Sequence, residues 1–183
     1  MLRLGMVGLG KMGLSHHAIV NAHPGVKVVA ACDQTAYLTD VLTKYTGLKC
    51  YDDYDKLLAG EALDAVIIAT PSKLHASMVE KALARGLHVF CEKPFVLDVA
   101  DGERLAALAE SKGLVNQVGY HYRFVGAFQE AARIVKSGAL GRIHHGPGFG
   151  RGPPCRREFV ASWRGTGTTS RSERARRRED AFE

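Results

Sequence analysis

Six short runs of apolar, largely β-branched residues punctuate the first 119 positions, and between them apolar residues recur at helical spacing. The runs are LRLGMVG (2–8), VKVVAAC (26–32), a weak LKCY (48–51), DAVIIAT (64–70), LHVFC (87–91) and LVNQVG (114–119). Most are apolar at consecutive positions, the pattern of a strand covered on both faces. From Ser72 to Gly86, Leu74, Met78, Ala82 and Leu83 keep to one helical face, and Gly86 suits a C-terminal stop. Asp98 is placed to cap the next helix, with Leu105, Leu108 and Ala109 turned inward. Strands buried on both faces, each followed by a helix, predict an α/β fold over residues 1–119: a doubly wound parallel sheet.

After Gly119 the pattern changes. GYHYRF leads into a predicted helix whose Val125, Phe128, Ala132 and Val135 are spaced three, four and three apart, and SGALGRIHH then turns into a short strand. One helix and one strand cannot enclose a core, so further structure is expected beyond them. Residues 146–183 instead hold no sustained apolar period and are dense in Gly, Pro, Ser and Arg, a composition expected to be disordered. Lysine usage switches at the same place: residues 1–145 carry 10 Lys and 6 Arg, the last 38 no Lys and 9 Arg. A shifted reading frame would produce such a switch.

Composition narrows the class. With 183 residues and 46% hydrophobic content, the chain fills one core and little more. The net charge of +6 is uneven, since residues 1–145 are nearly neutral and the arginine-rich end carries most of the excess. Nine arginines could neutralise phosphates, yet interspersed acids and the lack of an aromatic platform fit a solvated tail, so no nucleic-acid partner is expected. No apolar run approaches the roughly 20 residues of a membrane span, and the N-terminus enters a strand without a signal-peptide pattern. Cys32, Cys50, Cys91 and Cys155 show no C-x-x-C pairing; buried, reduced thiols and a cytoplasmic location are expected, with no metal site.

Chemistry concentrates at the carboxyl ends of the predicted strands. Gly8, Gly10 and Gly13 stand in G-x-G-x-x-G spacing directly after the first strand and at the start of the first helix, with Lys11 and Met12 between them. The first glycine permits the tight turn, the second the approach of a pyrophosphate, and the third close packing of helix on strand. Phosphates would face free N–H groups and the positive end of the helix dipole. Asp33, ending the second strand, could accept both ribose hydroxyls of an adenosine and would repel a 2'-phosphate; the following QTAY offers no cation to offset that. NAD is therefore expected over NADP. The plainer alternative for Asp33 is a cap for the next helix.

Thr70 and Pro71 follow the fourth strand; Glu92, Lys93 and Pro94 follow the fifth. In an open parallel sheet these ends line the ligand crevice. Lys93 would stand beside the nicotinamide, where its charge could stabilise a developing alkoxide, hold a substrate hydroxyl or, with a lowered pKa, take part in proton transfer. Pro94 would fix the turn that aims it, through a cis bond if one is present. The alternative is a surface lysine paired with Glu92. His75, on the first turn of a helix beside the crevice, is either a cofactor contact or a structural hydrogen bond. His121 and Arg123 could reach nicotinamide or substrate, whereas Tyr120, Tyr122 and Phe124 read as packing. His16, His17 and His23 receive no role, and Met12 and Cys91 fit close packing rather than redox work.

Taken together, GLGKMG, ATPSKLH, GLHVFCEKP and GYHYRF…SGALGRI resemble the Gfo/Idh/MocA oxidoreductases, the family that includes glucose-fructose oxidoreductase and inositol 2-dehydrogenase. The resemblance runs from residue 1 to about 145, and its E-K-P element is the most specific part. It implies a Rossmann, NAD(P)-binding domain and hydride transfer on a sugar, cyclitol or related polyol. Carried over, Gly8, Gly10, Gly13 and Asp33 would bind cofactor, Thr70, Pro71, His75 and Glu92 would line its nicotinamide half, and Lys93 would be catalytic. In the family that lysine works with a D-x-x-x-H pair from a second α/β domain. Residues 120–145 would then be the start of a truncated second domain. No such pair follows residue 145 here, where Asp180 is the only aspartate and no histidine comes after it. The expectation is an NAD-dependent dehydrogenase by descent, impaired in turnover. Its rival is a catalytically inactive dinucleotide-binding module that recruits a partner. A homo-oligomer stays open in either case.

Overall fold

The computed structural model describes residues 1–142, which divide at Val125 into a first unit, Met1–Val125, and a second beginning at Gly126. The first extends a few residues past the expected boundary at 119, because a 3-10 turn, His121–Phe124, follows the last strand within it.

Each predicted apolar run forms a strand: β1 Leu2–Val7, β2 Val26–Cys32, β3 Lys49–Tyr51, β4 Ala65–Ile68, β5 His88–Cys91 and β6 Asn116–Val118. They pair in parallel in the order β3-β2-β1-β4-β5-β6. Helices α1 Lys11–Asn21, α2 Ala36–Thr46, α3 Tyr54–Gly60, α4 His75–Ala84 and α5 Val99–Ser111 cross between them. Side chains alternate across the sheet, as a period of two requires. Val7, Val66, Ile68, Val89 and Cys91 pack with Leu57, Val79, Leu83 and Leu105 of α3, α4 and α5. On the opposite face Leu4, Met6, Ala65 and Ile67 pack with Leu42 of α2 and Val20 of α1. Fully burying one such side chain as Leu105 contributes about 1.5–3 kcal/mol, so the two cores hold the sheet together, although the face of β5 and β6 on the α1 side stays partly open at His88, Phe90 and Gln117.

One helix, α4, differs from its expected form, and α5 keeps to it. The stretch from Ser72 opens as a 3-10 turn, Ser72–Leu74, before α4 begins. That tighter winding rotates the inward face by part of a turn. His75, Val79, Ala82 and Leu83 are buried, and Leu74 and Met78 are only half-buried. At α5, Asp98 accepts a hydrogen bond from the Ala100 N–H at 2.7 Å and so caps the helix, and Leu105 and Ala109 turn inward as expected.

The second unit holds α6, Gly126–Lys136, which includes Phe128, Ala132 and Val135, followed by a turn through residue 140. None of its residues is buried among the described residues. The strand expected within residues 137–145 lies in part outside the described residues, whose 137–140 form a turn, and the tail from 146 lies wholly outside them. No helix among the described residues is long and apolar enough to cross a membrane.

Candidate functional site: the carboxyl rim of the sheet

Because all six strands run the same way, their carboxyl ends share one rim, and the chain reverses its direction of winding between β1 and β4. Ligand crevices form at such switch points. Asp33 follows β2 on one side of β1; Thr70, Glu92 and Lys93 follow β4 and β5 on the other.

The turn after β1 is built by close approach. Gly8 adopts φ +89°, and its N–H donates to the Cys32 carbonyl at 2.8 Å. A Cβ there would lie 2.7 Å from the Ala69 carbonyl oxygen, and one on Gly13 would lie 1.8 Å from that of Gly8. Both positions exclude any side chain. Gly10 is different: a Cβ on it would meet nothing within 4 Å, and its backbone is extended, with φ −66° and ψ −173°. Nothing inside the protein requires a glycine there. Gly10 also caps α1 without a side-chain hydrogen bond and without an acidic residue in the first turn. The first amides of α1 therefore point, unspent, into the space beside Gly10. A pyrophosphate fits both features, since it needs close backbone approach and donors.

Asp33 locks this turn to β2. Its Oδ2 accepts from the Leu9 N–H at 2.6 Å and its Oδ1 from the Thr35 N–H at 2.8 Å. Burial works to raise the pKa of this carboxyl, but the Leu9 N–H and the N–H and hydroxyl of Thr35 outweigh it, and the group stays below the ordinary carboxylate value. It is thus a fixed negative charge at the rim. The cap position of α2 belongs to Thr35 rather than Asp33. Between the glycines, Lys11 is exposed and Met12 is 40% exposed. The close packing expected of Met12 is not found, because α1 turns Gly13, His16, His17 and Val20 toward the sheet and leaves Met12 on the outer side.

Across β1, the two crevice segments are tied together by His75. The ring is 1% exposed; Nδ1 bonds the Pro94 carbonyl at 2.8 Å and Nε2 the Thr70 carbonyl at 2.9 Å. The ring thus stands between the TPS and EKP loops, with an N–H available to donate to a carbonyl of one of them. Thr70 also donates its hydroxyl to Met78 Sδ at 3.4 Å, and Pro71 is exposed. The Lys93–Pro94 peptide is cis.

Glu92 and Lys93 do not pair as acid and base. The buried Glu92 carboxylate contacts His16 Nε2 through Oε1 at 2.7 Å, and its Oε2 accepts from the Lys93 backbone N–H at 3.1 Å. The Lys93 side chain is exposed, with no ion pair among the described residues. Cys91, just before it, is fully buried, and burial, with Glu92 adding to it, pushes its thiol up to about 12. It is inert packing, as expected.

His121 and Arg123 sit on the exposed 3-10 turn after β6. Tyr120 and Phe124, expected to pack, are 57% and 66% exposed, and Tyr122 is exposed with them. The turn lies past the last strand, where no described helix follows within this unit.

Two residues without an expected role contribute here. His16 stands three residues after Gly13 on the same helical face, the one signal of it in the sequence. Gly119 does more than end a strand, since a Cβ on it would lie 3.0 Å from Glu92 Oε1.

Comparison with known proteins bears on this rim. Residues 2–120 match the Gfo/Idh/MocA family, described as an oxidoreductase family with an NAD-binding Rossmann fold. The scyllo-inositol 2-dehydrogenase (NAD(+)) of Bacillus subtilis is 31% identical over 164 residues, covering 87% of this chain and 47% of its own length. Among solved structures, scyllo-inositol dehydrogenase from Lactobacillus casei with bound NAD(H) and scyllo-inositol superposes with a TM-score of 0.71 at 30% identity, over 77% of this chain and 42% of that one. The WlbA dehydrogenase of Bordetella pertussis, in complex with NADH and UDP-GlcNAcA, gives 0.73 at 27% identity, over 78% and 45%. The chain spans just under half the length of the curated relatives it matches. With an open glycine turn, a fixed carboxylate and the E-K-P loop on one rim, and a family match over the whole sheet, this chain belongs to the Gfo/Idh/MocA oxidoreductases through their NAD-binding Rossmann domain.

Proposed function

We propose that the rim binds NAD(H), with NAD preferred to NADP, and that the chain derives from a dehydrogenase of a sugar, cyclitol or related polyol in which Lys93 is the catalytic cation. The observation that carries this is Gly10, the one glycine of the turn that no protein atom requires, at an uncapped helix start. The N–H groups of Lys11, Met12 and Gly13 hold the phosphates, and Lys11 adds charge from the surface. Asp33 accepts the ribose hydroxyls with lone pairs left over from Leu9 and Thr35, and its negative charge repels a 2'-phosphate. Thr70, Pro71 and Glu92 border the nicotinamide half, and His75 sets their loops. His121 and Arg123 face the substrate side.

When bound, the dinucleotide supplies a hydride acceptor. Lys93 donates a hydrogen bond to the substrate oxygen and stabilises the negative charge that gathers on it as its proton leaves. The proton needs a second group, and no D-x-x-x-H pair follows residue 145. Residues 1–183 alone should therefore turn over weakly or not at all, and residues 120–145 stand for the start of a second domain. The free thiols of Cys32, Cys50 and Cys91 support a reducing, cytoplasmic setting. Titration of the full chain with NADH, followed by nicotinamide fluorescence, should give saturable binding in the micromolar range. NADPH should bind more weakly, and absence of NADH binding would contradict the reading.

A further inference from the structure

The helix that opens on the glycine turn also reaches the E-K-P loop. One face of α1 begins at Gly13 and continues to His16, whose Nε2 lies 2.7 Å from Glu92 Oε1 across 76 residues of sequence. Three things hold that carboxylate in place. His16 engages Oε1, the Lys93 backbone N–H donates to Oε2 at 3.1 Å, and Gly119 leaves room where a Cβ would crowd Oε1 at 3.0 Å. The His16 ring is itself set edge-on against Phe90, with centroids 5.2 Å apart and planes at 67°. Side-chain exposure is 20% for His16 and 8% for Glu92, so the contact is largely screened from water. By contrast the Lys93 ammonium has no partner among the described residues, and its backbone N–H is a fixed point from which the side chain can be aimed.

We infer that His16 is a positioning residue: acting through Glu92 and the Lys93 amide, it fixes where the Lys93 side chain stands relative to a dinucleotide held at the start of the same helix. This rests on the dinucleotide reading of the rim. One rigid element then carries both the phosphate donors at its first turn and, on the next turn, the group that registers the lysine against them. Without His16, the buried carboxylate loses a partner and turns toward water, and the amide of Lys93 loses its anchor. The phosphate site, built from backbone at Gly8 to Gly13, is untouched.

The test is chemical shielding of Lys93 in the full chain. Acetylation by a lysine-directed acylating reagent is timed by mass spectrometry with and without saturating NADH, for the native chain, His16→Leu and His16→Gln, with NADH affinity measured on each. In the native chain NADH should slow modification of Lys93 by about tenfold or more, since small displacements of a positioned group carry effects of that order or larger. In His16→Leu the shielding should be lost while NADH affinity stays within about threefold; His16→Gln, which keeps an N–H donor for Glu92, should restore shielding. Full shielding in His16→Leu, or none in His16→Gln with NADH still bound, would overturn the positioning role alone. If His16→Leu does not fold, His16→Gln and Glu92→Gln decide: retained shielding in the first and its loss in the second support the role, and any other pairing overturns it. No NADH binding by the native chain would overturn the inference together with the reading beneath it.

Discussion

At the scale of single residues, Asp33 shows how one side chain serves both fold and chemistry. Its oxygens hold Leu9 and Thr35, and its negative charge faces the crevice. A folded pKa held below the unfolded value stabilises the fold above the unfolded pKa, and that stability is lost as pH falls through the folded one. The Asp33 contribution to melting temperature and to NADH affinity should therefore be flat from neutral pH down to about 5 and fade below about 4. Asp33→Asn should weaken NADH binding about tenfold or more and narrow the preference over NADPH, read by parallel fluorescence titrations. The cysteines give a second check. Burial, with Asp53, Asp33 and Asp52 adding to it, pushes the Cys32 thiol up to about 12, as burial does for Cys91. Neither should react with iodoacetamide at pH 8 until the chain is unfolded, as peptide mapping would show. Asp33 was legible because an acid ending a second strand has few other uses. His16 was not: its partner lies in another strand's loop, and one sequence carries no record of that distance.

At the scale of elements, the β1-turn-α1 unit separates two reasons for a glycine. Gly8 and Gly13 are demanded by backbone conformation or by contact with carbonyl oxygens, and Gly10 by neither. Gly13→Ala should cost several kcal/mol, about the range of severe core overpacking or more, because a backbone atom cannot move aside. Gly10→Ala should cost about 1 kcal/mol, the loss of a favoured helix-cap residue, because no protein atom meets the added Cβ. Thermal melts of the two variants check the contrast. The strands, their parallel pairing and the Asp98 cap could all be read from apolar runs and turn chemistry. The inward face of α4 could not, because the 3-10 turn at Ser72–Leu74 shifts the rotation on which helical spacing depends. That shift buries Val79 and His75 in place of Met78, and His75 tolerates burial only because two carbonyls meet its ring.

At the scale of the whole molecule, a complete cofactor sheet stands beside chemistry that needs more than the sheet. The chain covers 47% of its Bacillus subtilis relative, and residues 146–183 hold no D-x-x-x-H pair. General acid-base groups contribute about 10²–10⁴ in rate, so on the proposed reading residues 1–183 alone should turn over NAD with inositols or sugars more slowly than a full-length relative by about that factor. Leu97, Val99, Tyr120, Tyr122 and Phe124 are exposed near the carboxyl rim, the kind of apolar surface that ordinarily meets another one. A dinucleotide-binding module that recruits a partner would use it, and a stoichiometric partner co-purifying with the chain would favour that reading over a solitary enzyme.

Cofactor binding at this rim turns on whether the space beside Gly10 receives a pyrophosphate. The direct measurement is NADH fluorescence titration of the full chain and of Gly10→Ala, each paired with a thermal melt. Micromolar binding by the native chain, weakened about tenfold or more in a variant that melts only a few degrees lower, is the predicted result. Equal affinity in the two proteins, or no binding by either, would contradict it.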